Sequence, residues 1–330
     1  MDGEGSSSRE FEHLVPQRAM ATEDIERRKG PAAEVPSPTI LVNEGPHAPE
    51  GNALMRGLRA LFVERRVPYA IETALDRALK RLGARDVTLY VAGYRVTCRR
   101  ASGDAAIVDC VLRDEEYFRF HEGFRPKSGQ TVIDVGANIG TFALVAAKYA
   151  GPKGKIISVE PHPENVWYLR RNLERNDIRC VSVVHGAIAA KHGATPLFIG
   201  GQSGLHSTRL DHGRGSVMVE AYTLAEIMDQ HGVQTCDLLK IDCEGAEFDF
   251  LPHIDRATWR RIRRIAMEYT APIKSWATPH PNPEHVALKR SMSADLVRTI
   301  QANGFRIDGY YDYAGHRAGY IFATNIEAEN

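Results

Sequence analysis

An excess of charge of either sign is the first thing this 330-residue chain lacks: Lys plus Arg and Asp plus Glu each total 42, for a formal net charge of +0. The balance removes the long-range field that would gather nucleic acid or an anionic membrane, and leaves only local runs such as RRIRR, Arg260 to Arg264. Long apolar runs are missing as well. No segment approaches the roughly 18 uninterrupted apolar residues of a membrane span, and MDGEGSSSREFEHL has no basic stretch followed by an apolar one. Neither membrane insertion nor secretion is expected. Cysteine is scarce: Cys98, Cys110, Cys180, Cys236 and Cys243 are odd in number, scattered, and form no CxxC pair. That argues against a disulfide framework or a zinc site and favours a reducing, cytoplasmic setting. The histidines of the irregular regions, His206, His212, His253, His280 and His285, show no HxxxH or HxH spacing. No metal is expected, with a magnesium site at Asp242 and Glu244 left open.

What is present suffices for a core, since 43% of the residues are hydrophobic. Residues 1–51 are rich in Gly, Ser, Pro and Glu, keep no regular period, and read as a disordered arm. Over 52–125 the pattern becomes an α+β extension. LMRGLRALFVERR and IETALDRALKRLG place Leu58, Leu61 and Phe62, then Ile71, Leu75, Leu79 and Leu82, on helical stripes. VTLYVAGYRVTCRR alternates about Ala92-Gly93 as a hairpin, and DAAIVDCVLRDEEYFRF returns to helical spacing. This extension caps a site or forms an oligomer interface, and the pattern favours neither.

From 126 to 330 strands and helices alternate. TVIDV, KIISVE, VSVVHG, DLLKID and RRIAME are strand-like, while FALVAAKYA, ENVWYLRRNLERN, TLAEIMDQHG and ADLVRTIQANG have helical spacing. Such alternation predicts a parallel, doubly wound α/β sheet. Two stretches depart from it. Between His185 and Tyr222 helix signals are too few for a crossover, so extra strands and loops are expected. FRIDGYY and GYIFAT, joined by a short Gly-containing loop, predict a C-terminal antiparallel hairpin. A mostly parallel sheet closed by such a hairpin is the Rossmann-like outline of a class I methyltransferase.

DVGANIG, Asp134 to Gly140, joins the first of these strands to a helix. Gly136 and Gly140 let the backbone turn tightly and approach a ligand, and the helix offers unpaired N–H groups. The GxGxxG of a dinucleotide site is absent. The motif is GxxxG behind an acid, which would repel a pyrophosphate but suits an ammonium, a sulfonium or hydroxyls; an ordinary glycine turn is the alternative. Glu160, 20 residues after Gly140, falls where a doubly wound fold places the acid that binds a ribose diol. Asp242, Glu244 and Glu247 follow the strand LLKI, with Gly245 turning the chain toward a helix. Asp242 opens into the crevice, whereas Glu247 suits a helix N-terminus.

DVGANIG with Glu160 downstream, followed by LLKIDCEGAE, resembles the FkbM family of S-adenosylmethionine-dependent methyltransferases over roughly Val108 to Phe322. EEYF at Glu115 to Phe118, TLAEIM at Thr223 to Met228 and AMEY at Ala266 to Tyr269 resemble further segments of that family. The last departs from its pattern, with Tyr269 and Thr270 where a histidine often follows the glutamate. The resemblance implies S-adenosyl-L-methionine as cofactor. Asp134, Gly136, Asn138 and Gly140 would line its methionine moiety with Asp242 close by, Glu160 would bind the ribose, and Gly186, Ala187 and Ile188 would flank the adenine. It also implies O-methylation of a small molecule, a sugar or a polyketide-type hydroxyl, with no nucleic acid or membrane partner.

Methyl transfer to an alcohol needs in-line alignment and a positioned base. Asp242 and Glu268, at predicted strand ends over the crevice, rank ahead of His206, Glu244 and His185. Tyr117, Ser203, Ser207, Glu244 and Trp276 are expected on the acceptor side, Trp276 on a loop that covers the substrate. Other readings are a nitrogen, carboxylate or RNA acceptor and a non-catalytic nucleotide-binding module. Methylation of a base amino group would call for an NPPY-like motif where this chain has KIDCEG. A homo-oligomer is left open.

Overall fold

A computed structural model describes residues 39–41, 86–100, 102–274, 276, 281–312 and 316–328. The small N-terminal sheet is built from β1 (Thr39–Leu41), β2 (Asp86–Val91) and β3 (Tyr94–Arg99), all antiparallel. Ala92 and Gly93 join the last two with φ of 50° and 86°, the left-handed pair whose twist suits a two-residue hairpin. β1 falls within the stretch read as an arm without structure: its TIL run lies along β2, Thr39 opposite Tyr90. The helical stripes read over 52–83 lie outside the described residues. The helical run before the main sheet is broken into three pieces: α1 (Asp104–Ile107), a π-helical turn (Val108–Arg113) and α2 (Glu116–Phe120). Glu115 makes the second break, at φ 47°. Its carboxylate is held there by Arg125 at 2.9 Å, Lys148 at 2.8 Å and the Tyr149 hydroxyl at 2.6 Å.

The main sheet then follows the expected alternation. β4 (Thr131–Val135), α3 (Thr141–Ala150), β5 (Lys155–Glu160), α4 (Pro163–Arg175) and β6 (Val181–His185) form its first half. β7 (Ala187–Ile188), β8 (Gly193–Phe198) and β9 (Ser216–Tyr222) make a separate small sheet, in place of a helical crossover. The second half comprises α5 (Leu224–Gln230), β10 (Leu238–Ile241), α6 (Glu247–Phe250), α7 (Arg256–Arg260), β11 (Arg264–Thr270), α8 (Pro283–Ala302), β12 (Phe305–Asp312) and β13 (Ala318–Asn325). Strand order is β12-β13-β11-β10-β4-β5-β6, parallel from β11 to β6, with β13 inserted antiparallel.

Period-2 alternation sends β4 to both faces. Val132 joins one buried cluster, with α3, α4 and the β2–β3 hairpin, while Ile133 and Val135 join the other, with α5, Trp259 and α8. The extension therefore shares a core with the sheet, and packing does not divide at 125/126. Asn172 of α4 secures it, accepting from Thr97 N at 2.7 Å and donating to Thr97 O at 3.2 Å and Ile139 O at 2.9 Å. α8 begins earlier than ADLVRTIQANG suggests. Asn282 caps it by accepting from Glu284 N and Pro283 occupies its first position, so PEHVALKRS belongs to the helix instead of a loop.

Candidate active site

The carboxyl ends of the central strands enclose a cavity of about 410 Å³. Two glycines shape its floor for different reasons. At Gly136, φ 76°, a Cβ would stand 1.7 Å from Asp242 O, so only glycine lets the turn after β4 touch the turn after β10. At Gly140, φ 89°, a Cβ would meet Leu169 Cδ1 at 2.4 Å; this residue starts α3 against α4, behind the cavity wall. Asn138 lies between them at φ 49° and does line the cavity.

Glu160 ends β5 with its carboxylate already organised. Asn138 N donates to Oε2 at 2.8 Å, while His162 N at 2.8 Å and Asn165 Nδ2 at 3.1 Å donate to Oε1. Burial raises its pKa, and the two backbone N–H groups oppose that rise. Gly186, Ala187 and Ile188 form a neighbouring wall.

Asp134 does not reach the cavity. It is 0% exposed and stands opposite Lys240 in the β4–β10 register, with Lys240 Nζ 3.2 Å from its Oδ1. Burial pushes the Asp134 carboxyl up and the ammonium pulls it back. Lys240 also donates to Gly136 O at 2.9 Å and lies 3.6 Å from Asp242 Oδ2. The acid expected to face a sulfonium is instead a buried counter-ion that seats a lysine, and that lysine ties the first turn to Asp242. Burial works against the Lys240 ammonium, yet the charges of Asp134 and Asp242 outweigh it and raise its pKa. Sequence reading passed over this lysine; a charged residue inside the apolar run LLKI was its signal.

Acids crowd the other side. Asp242, Glu244, Glu268 and Glu116 line the cavity with Tyr117 and Tyr320. The Tyr117 hydroxyl donates to Asp242 Oδ2 at 3.1 Å, and that of Tyr320 to Glu116 Oε1 at 2.8 Å. Glu244, at φ 53°, is pushed up to about 8 by burial and then by the charge of Asp242. Glu268 rises well above the usual carboxylate range through burial and its neighbours Asp242, Glu116 and Glu244. Glu247 is a brace: 0% exposed, it accepts from Thr270 N at 2.7 Å and Gly245 N at 3.0 Å, and burial pushes it up to about 7.

Ser203 and His206 line the cavity from the loop after β8. The His206 ring stacks on His162 at 4.0 Å, its Nδ1 accepts from Gly200 N at 3.1 Å, and burial pulls its pKa down to about 4. A ring so neutralised and stacked is a poor proton carrier. Ser207 is not on the wall: its hydroxyl donates to Glu244 O at 2.7 Å and accepts from Leu210 N, fixing the loop. Trp276 also stands outside the cavity lining, its ring stacked on that of His285 in α8 with centroids 6.3 Å apart. His185 lies outside too, near Pro161 O at 3.2 Å. Among the described residues no group of three or more His, Cys, Asp or Glu is disposed to hold a metal ion, and no helix is long and apolar enough to cross a membrane.

One polar atom that lacks a partner belongs to a residue lining the cavity. Asn138 Oδ1 is buried without a hydrogen bond among the described residues, on the same turn that places its N–H on Glu160. A buried acceptor left open costs free energy that a ligand donor recovers. A nucleoside on Glu160 with an amino-acid tail along Gly136 to Asn138 fits this cradle. Sheet order, closing hairpin and cradle together define a class I S-adenosylmethionine-dependent methyltransferase. Residues 134–307 match the Methyltransferase FkbM domain, and the chain belongs to that family. It is similar to the methyltransferase sdnD of Sordaria araneosa, 28% identical over 204 residues, covering 52% of this chain and 76% of that protein. It is also similar to the 31-O-demethyl-FK506 methyltransferase FkbM of Streptomyces tacrolimicus, 26% identical over 188 residues, covering 48% and 71%. Among solved structures, Aeropyrum pernix fibrillarin with natively bound S-adenosyl-L-methionine aligns with a TM-score of 0.40 at 15% identity, covering 73% of this chain and 94% of that one.

Proposed function

We propose that the protein methylates a hydroxyl of a small, non-anionic molecule, a sugar or a polyketide-type natural product, with Asp242 as the general base. The observation that carries this reading is the position of Asp242. It lines the cavity between the cofactor turn, whose Gly136 packs on its backbone oxygen, and the acid-rich wall. Tyr117 and Lys240 hold the same oxygen, Oδ2, which leaves Oδ1 for an acceptor proton. Bound S-adenosylmethionine supplies the electrophilic methyl group. Glu160 and Asn138 would hold its nucleoside and amino-acid parts, and the chain's remaining task is to align the acceptor and exclude water.

The wall also selects against negative charge. Glu116, Glu160, Asp242, Glu244 and Glu268 line the cavity, and Lys240 is the one Lys or Arg among its described lining residues. A phosphate or carboxylate acceptor would meet repulsion with no guanidinium to receive it, which also counts against RNA. The name of one relative, the 31-O-demethyl-FK506 methyltransferase, agrees with an oxygen acceptor. The test is a panel of neutral polyols, amines, phosphorylated sugars and RNA, read by S-adenosylhomocysteine formation and by NMR of the product methyl group. O-methylation confined to neutral hydroxyls is expected. An N-methyl product, or turnover of RNA, would overturn the proposal.

A further inference from the structure

Three elements far apart in sequence meet over the ribose acid. Residues 199–206 form a strap closed at its base by paired hydrogen bonds between Phe198 and Ser207, at 2.8 and 3.1 Å. The strap crosses the cofactor turn so closely that a Cβ on Gly204 would lie 3.1 Å from Ile107 Cδ1 and 3.6 Å from Asn138 Nδ2. Its Ser203 is 6% exposed and donates through Oγ to the carboxylate of Asp104, while Ser203 N donates to Ser102 O at 3.3 Å. Asp104, 0% exposed, receives Arg99 three times, from N at 2.8 Å, Nε at 3.0 Å and Nη2 at 3.1 Å. Arg99 Nη2 then donates to Asn165 Oδ1 at 2.7 Å, and Asn165 Nδ2 lies 3.1 Å from Glu160 Oε1 and 3.3 Å from Ser203 O. The contacts form a closed ring, Asn165, Arg99, Asp104, Ser203 and back to Asn165, and Asn165 joins it to Glu160.

We propose that Arg99 and Asp104 are positioning residues for the methyl donor: through Asn165 they orient Glu160, and through Ser203 they fasten the strap over the nucleoside. The inference rests on the reading of this cavity as the S-adenosylmethionine site. It gives residues 86–107 a task the sequence left undecided, since the hairpin supplies the arginine and α1 the aspartate. A bidentate pair built on a buried carboxylate with every lone pair engaged is rigid, and breaking one member frees the others. Release of S-adenosylhomocysteine then requires Ser203 to leave Asp104, so the ring sets how long the nucleoside stays bound.

The experiment measures S-adenosylhomocysteine dissociation from the full chain by stopped-flow displacement, with hydrogen exchange of the strap amides as a second readout. Ser203→Ala cuts the strap's side-chain tie to Asp104 and leaves the ion pair and the backbone contacts of residue 203 intact; dissociation about tenfold faster is expected, with reduced ligand-induced protection of residues 199–206. Asp104→Asn removes the charge that orders Arg99, and dissociation faster still is expected, with affinity reduced by about thirtyfold. Asn165→Ala combined with Ser203→Ala should be less than additive, because both act through one ring. Dissociation within twofold of wild type for Ser203→Ala and Asp104→Asn, or an Asp104→Asn that lowers only the melting temperature, overturns the proposal. Failure of the wild-type chain to bind S-adenosylhomocysteine would instead overturn the reading beneath it. Should Asp104→Asn not fold, Ser203→Ala and Arg99→Lys carry the same test, the latter keeping the charge and losing the fork.

Discussion

Each oxygen of Glu160 meets an N–H, whereas Glu268 faces Asp242, Glu116 and Glu244. The two ends of one cavity thus treat buried carboxylates in opposite ways. At the cofactor end two of the donors are backbone groups and a third is a fixed asparagine, so the acid is oriented before any ligand arrives. At the acceptor end burial and neighbouring carboxylates raise the pKa values of Glu116, Glu244 and Glu268, and that part of the wall is tuned by titration more than by geometry. On the proposed reading the difference separates two tasks: the end that would hold the nucleoside is preorganised, while the end that would hold the acceptor depends on protonation state. Substitutions that separate the ends test this.

Gly136→Ala should have the largest effect, because it strikes the point where the two ends touch. The new methyl group would sit 1.7 Å from Asp242 O at a φ of 76°, and neither backbone can yield without moving its strand. Loss of S-adenosylhomocysteine binding in calorimetry is expected, with activity undetectable. Binding within tenfold of wild type would mean that the two turns are not rigidly coupled. Asp242→Asn comes next and breaks only the acceptor end. A loss of roughly 10²–10⁴ in kcat is expected, with S-adenosylhomocysteine affinity held within about threefold. Equal losses in both would show that Asp242 serves the cofactor instead.

Lys240→Met tests the joint from below. It strands Asp134, 0% exposed, without its partner, and a cost of about 3 kcal/mol in urea unfolding is expected. The double variant Lys240→Met with Asp134→Leu should recover part of that loss, since it removes the orphaned charge. A double variant as unstable as the sum of the two singles would argue against a direct pair.

The same contrast governs what could be read from the sequence. The alternation of strands and helices, the closing hairpin and the glycine turn follow from local patterns: apolar runs, GxxxG, an acid 20 residues on. The expectation that Asp134 faces the ligand failed for a three-dimensional reason: a strand-end acid and a strand lysine in register neutralise each other beneath the floor. Arg99, Asp104 and Asn165 gave no signal as a set, because their contacts span 66 residues between Arg99 and Asn165 and 99 between Asp104 and Ser203. Asn165 and Asn172, seven apart on the buried face of α4, were the nearest thing to a hint. Trp276 lies against His285 of α8 and not on the cavity wall, and the Asn282 cap and Pro283 start that helix inside the Pro-rich stretch that reads as loop.

The smallest expected effect concerns titration of the acceptor wall. Glu244 has its pKa pushed from an ordinary 4.5 up to about 8 by burial and by the charge of Asp242. Its neutral form is the one the folded state prefers, so its contribution to stability is complete below about 4.5 and is lost as pH rises through about 8. Glu244→Gln fixes the neutral form. Between pH 6 and 9 the wild-type melting temperature should therefore fall by roughly 5 °C more than that of the variant. Part of the slope should persist in the variant, because Glu247, pushed up to about 7 by burial, still titrates behind it. Identical slopes would show that Glu244 is ionised throughout, and the contrast between a preorganised and a titrating end of the cavity would fail at the residue where it is sharpest.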